Sequence, residues 1–146
     1  MDWIKALAST PPNELTCTEL VLPQQANHYG TLFGPEALAL LGKTAYLAAA
    51  RFSRQSVVMA ASRGIEFLAP VAIGALLHFH ARVVRLGRSS MTVDVRAALD
   101  GAPGTRPQEV LRASFEMVAV DASGRPVALE ARGDALLPAT LGEQAP

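Results

Sequence analysis

Three stretches of the chain bring together residue types suited to chemistry. In "PQQANHYGTLFG", residues 23–34, Asn27 and His28 stand side by side in a polar loop that ends at Gly34. An amide donates and accepts hydrogen bonds, so Asn27 suits orienting a ligand rather than taking its proton. An imidazole, with an ordinary pKa of about 6.5, suits that second task at neutral pH, which makes His28 a candidate base. Pro35 follows Gly34 and opens a long apolar run. The first turn of a helix offers unpaired N–H groups and the positive end of a dipole to an oxygen that is gaining negative charge. In "RLGRSS", Arg85, Gly87, Arg88, Ser89 and Ser90 surround a tight turn, and Arg63 in "SRGIEF" is a weaker companion. Guanidinium forks bond two phosphate oxygens at once, so these are candidate anion-binding residues. In "LLHFHARVV", His78 and His80 alternate and share a strand face. A metal needs more ligands than two, so a polar sheet or subunit face is the expected reading there.

These residues need elements to hold them. "ELTCTELVL", residues 14–22, alternates and reads as a strand. A helix is expected over about 35–52, with Pro35 at its first position, Glu36 beside the positive end of the dipole and Arg51 and Arg54 at the other end. It is apolar on most faces and is expected to be enclosed. Strands are expected at about 57–68, 76–86, 89–100 and 109–120, with a shorter one at 127–136. "MTVDVRAAL" shows the strand period most clearly, and "LGRS" and "DASGR" read as tight hairpin turns. Asp2 is expected to cap a short turn through Leu7. The economical arrangement is a single α+β domain over 1–146, with a core over about 14–136 and frayed ends, in which an antiparallel sheet wraps around one long central helix.

Composition narrows the function. Half of the 146 residues are hydrophobic and 18% are charged, with 13 basic and 13 acidic side chains for a formal net charge of +0. A bulk nucleic-acid or membrane-surface binder needs a basic excess, so neither partner is expected. The single cysteine, Cys17, forms no internal disulfide and is expected to be a buried strand residue. Lys43 interrupts the longest apolar run, and the start lacks a signal-type core, so the expected setting is cytoplasmic.

Four segments in register, "LPQQANHYGTLFG", "FLAPVAIGALL", "ARVVRLGRSSMTVDV" and "FEMVAVDASGRPVAL", resemble the acyl-CoA hydrolase family of hotdog-fold thioesterases over roughly residues 15–130. The resemblance implies a homodimer at least, with sheets joined edge to edge and further assembly to tetramers or hexamers. It implies an acyl-CoA or related thioester bound at the subunit interface, on CoA or on acyl carrier protein, with no metal or separate cofactor. The family pattern makes the N–H of Gly34 the oxyanion donor and Asn27 the residue that positions water or carbonyl. Pro35 stands where the family has a second glycine, and proline cannot donate. The family segment that approaches the nucleotide corresponds to Arg85–Ser90. Gly42 falls where the family usually carries a carboxylate that acts as base or nucleophile. Tyr46, one turn later on the same face, is expected to refill the space and point its hydroxyl there. The implied activity is hydrolysis of acyl-CoA to free acid and CoA. The alternative is a catalytically degenerate acyl-CoA-binding or structural protein.

Overall fold

The computed structural model describes residues 2–130. A short helix α1, Trp3–Ala8, comes first, and the Asp2 carboxylate caps it by accepting from the N–H of Ile4 at 3.0 Å. Strand β1 spans Glu14–Leu20, and a single 3-10 turn at Pro23–Gln25 follows. The long helix α2 runs Gly34–Ser53. Four more strands complete the domain: β2 Val57–Phe67, β3 Leu76–Leu86, β4 Ser90–Leu99 and β5 Gln108–Ala119. They form one sheet in the order β1-β3-β4-β5-β2, with every neighbouring pair antiparallel.

Alternation dictates the core. Leu77, Phe79, Ala81 and Val83 of β3 and Met91, Val93, Val95 and Ala97 of β4 are buried, while the residues between them face outward. Against that inner face α2 sets Ala37, Leu41, Ala45, Ala48, Ala49 and Phe52, a helical stripe of mostly small residues that lets the helix sit close to the sheet. All five strands touch α2. This is the sheet-around-helix arrangement that the sequence implies.

Three expectations need correction. The helix is enclosed on one side only within a single chain: Tyr46 and Leu47 remain 47% and 40% exposed. Cys17 lies in β1 as expected but is only half-buried, because β1 is an edge strand with no sheet neighbour on its far side among the described residues. The strand expected at 127–136 is absent over 127–130. The "DASGR" turn there closes a lone bridge between Val120 and Pro126, and residues 131–136 lie outside the described part of the chain.

β2 forms the other edge. It is bulged twice against β5, at Ala60 and near Gly64, which takes a φ of +62°. Bulges re-aim side chains. Met59 pairs with Met117, Ser62 with Phe115 and Phe67 with Leu111. Those three partners are buried, so Met59, Ser62 and Phe67 share the face turned to α2.

Candidate active site

The start of α2 is open. Its N-cap, Phe33, makes no capping hydrogen bond, and among the described residues the N–H groups of Gly34 and Glu36 have no partner. Ala37 N–H already donates to Phe33 carbonyl at 2.9 Å. Gly34 lines an apolar cavity of about 340 Å³ with Leu32, Ala37, Phe67 and Leu68 among its walls. A Cβ at residue 34 would lie 3.9 Å from Phe67 Cζ, ordinary contact. The free Gly34 donor and the positive end of the dipole therefore meet at this cavity, suited to an oxygen that becomes negative.

Asn27 belongs to the same small loop. Ala26 bridges Leu32, and Phe33 N–H donates to Gln25 carbonyl at 2.9 Å, so the two ends of the loop lie beside each other. The Asn27 Oδ1 accepts from Tyr29 N–H at 3.0 Å and from the N–H and hydroxyl of Thr31, both at 3.2 Å. The oxygen is thus spent on the turn, and Nδ2, which has no partner among the described residues, remains to donate. His28 sits at the exposed tip of this turn, stacked on Tyr29 with ring centroids 4.0 Å apart. Nothing in the single chain brings it to the helix tip.

Gly42 has a different neighbour from the one expected. A Cβ there would stand 2.9 Å from Met59 Cε and 4.0 Å from Phe115 Cε1, and no atom of Tyr46 comes within that range. Met59 fills the space. Tyr46, one turn later, is 47% exposed and does not refill that space. Gly42 and Met59 line an apolar groove of about 510 Å³ with Pro35, Leu38, Ala39, Lys43, Ser62 and Phe115. No carboxylate lines it among the described residues, and Lys43 is ion-paired with Glu19. Glu66 pairs across from Arg112, on the sheet face away from α2.

On that outer face, Arg63, Arg85, Gly87 and Ser90 line one cleft of about 230 Å³ together with Thr92 and Glu116. Four of the six candidate anion-binding residues therefore meet. A side chain at Gly87 would collide with Ser90 Oγ at 2.4 Å, so glycine there makes room for the serine hydroxyl. Glu116 accepts from the Thr92 hydroxyl and lies 3.9 Å from Arg63 Nη2, a carboxylate that tempers the positive charge. Arg88 and Ser89 do not line the cleft. Their carbonyls accept from the N–H groups of Leu129 and Ala119 and fasten the following segment.

The paired histidines behave as the polar sheet face expected of them. His78 is hydrogen-bonded to Thr18 at 2.9 Å and Asp100 at 3.0 Å, and His80 to Glu14 at 2.7 Å. Among the described residues no group of three or more His, Cys, Asp or Glu is placed to hold a metal, and no helix is long and apolar enough to cross a membrane.

An antiparallel five-stranded sheet curled over one long helix, with the helix tip left open beside an edge strand, is the hotdog fold. The thioesterase superfamily matches residues 29–101, and the chain belongs to that family. It is 32% identical to an uncharacterised acyl-CoA thioester hydrolase of Zymomonas mobilis over 116 residues, 80% of this chain and 78% of that protein. Among solved structures, a hexameric acyl-CoA thioesterase is 30% identical with a TM-score of 0.75, covering 86% of this chain and 84% of its own. An acyl-CoA hydrolase of Staphylococcus aureus, solved with butyryl-CoA, CoA and CoA disulfide, is 25% identical with a TM-score of 0.76, covering 86% and 80%.

Proposed function

We propose that the chain binds acyl-CoA across a homodimer and hydrolyses its thioester to free acid and CoA. The observation that carries this reading is the uncapped start of α2, where Gly34, its N–H free among the described residues, lines an apolar cavity at the end of the loop that holds Asn27. In the reaction, Gly34 N–H and Asn27 Nδ2 donate to the carbonyl oxygen as it becomes an oxyanion. Water adds its oxygen to the acyl carbon, the carbon–sulfur bond breaks, and the thiolate takes up a proton. The Arg63, Arg85 and Ser90 cleft holds the phosphates. His28 supplies the base, and because it lies at an exposed tip, that role requires a second copy to bring it to the shared site. Exposed Val58, Met59, Phe67 and Leu68 on and beside the β2 edge offer the second copy a surface, and three such dimers would make a hexamer, the assembly named for the relative above. A cytoplasmic setting accords with an acyl-CoA substrate.

A second reading, acyl-CoA binding without turnover, is favoured by the middle of α2. The Staphylococcus aureus hydrolase was also solved with an aspartate and with a threonine replaced by alanine, residues 17 positions apart. Gly42 and Met59 have the same separation here. Hydrolysis and binding assays over acetyl-, butyryl- and decanoyl-CoA separate the two readings. Turnover supports the first, binding alone supports the second, and neither result in a dimeric sample overturns both.

A further inference from the structure

We propose that Met59 sets what the site accepts at the middle of α2: it packs its methyl into the space Gly42 leaves and narrows that part of the groove, while the rest of the residue stays exposed.

The inference rests on the acyl-CoA reading above, and three observations carry it. Met59 Cε lies 2.9 Å from where a side chain at residue 42 would begin, closer than packed carbon atoms sit. Register puts Met59 opposite the buried Met117, just before the Ala60 bulge, so the side chain is directed inward by the sheet. The groove around the pair is walled by Pro35, Leu38, Ala39 and Phe115, with Ser62 its one uncharged polar side chain. Gly42 and Met59 therefore act as a knob and its notch, and neither residue alone determines the surface there. A methionine thioether is long, flexible and apolar. It crowds a carboxylate at residue 42 while presenting a soft wall to an alkyl group.

Two measurements test the pair. Alanine for glycine within a helix ordinarily stabilises it. Gly42→Ala should raise Tm less in the native background, where the Met59 methyl must move aside, than after Met59→Ala has emptied the notch. Equal shifts in both backgrounds would show that Met59 does not occupy the notch. The second measurement is butyryl-CoA hydrolysis by Gly42→Asp, Met59→Thr and the double variant. Threonine suits an edge strand, and its hydroxyl can bond a carboxylate. The double variant should turn over at least about 100-fold faster than either single variant, the lower end of the 10²–10⁴-fold typical of a positioned acid or base. If Gly42→Asp alone matches the double variant, or the double gains nothing while still binding butyryl-CoA, the role given to Met59 is wrong. Failure of the native protein to bind butyryl-CoA would instead remove the acyl-CoA reading, and the Tm comparison would still decide whether Met59 fills the notch.

Discussion

The Asn27 amide holds its turn through oxygen and offers nitrogen outward, so substitution can separate the two tasks. Asn27→Asp keeps the acceptor and removes the donor. It should leave Tm within a few degrees while lowering kcat about 100-fold, the usual loss on removing one oxyanion donor. Asn27→Ala loses both, and its Tm should fall further because each broken hydrogen bond contributes about 1 kcal/mol. A second residue reports through pH. The Arg96 hydrogen bond holds the Glu109 carboxyl below its ordinary value; burial pushes the other way, and Arg112 adds to the lowering. A carboxylate depressed in the folded state adds stability above its unfolded pKa of about 4.3, and that stability is lost as pH falls through the lower folded value. Glu109→Gln should therefore lower Tm slightly at pH 7, by less than about 1 kcal/mol for so exposed a pair. The difference should close under acid, as thermal melts from pH 7 to 2 will show.

Among the elements, α2 was legible to within a residue at each end, because Pro35 and the apolar run mark it independently of tertiary contacts. The four main strands were legible from alternation for the same reason. What joins elements was not. The contact between Met59 and Gly42 depends on the bulge at Ala60 and the way β2 lies against α2, and no spacing along the chain encodes it. Arg88 and Ser89 belong to the right turn, yet only the fold shows that the Ser89 carbonyl serves the end of β5 and the Arg88 carbonyl the segment after it. The β3–β4 turn carries its own prediction. Arg85→Ala should weaken CoA binding about tenfold or more, as expected for loss of a charge-assisted hydrogen bond, and should reduce its salt dependence. Glu116→Gln should tighten CoA binding, since it removes a negative charge from the same cleft. Calorimetric titration with CoA at two salt concentrations measures both.

For the whole molecule, exposed apolar residues along β2 and on the free side of α2 mark the surface expected to meet another copy. Val58→Lys places a charge on that edge. It should shift the protein toward monomer in sedimentation and, if the site is shared, abolish hydrolysis together with assembly. Retained hydrolysis by a monomer would show that one chain suffices. In α1, which precedes the opposite edge strand β1, no residue is buried, and Trp3, 69% exposed, is the only tryptophan in the chain. Intrinsic fluorescence excited near 295 nm, where indole dominates absorption, therefore watches a peripheral helix and not the sheet. Emission in the native state should already resemble that of indole in water and scarcely change when the core melts, so unfolding is better followed by circular dichroism. A blue-shifted native spectrum would reveal that assembly covers α1.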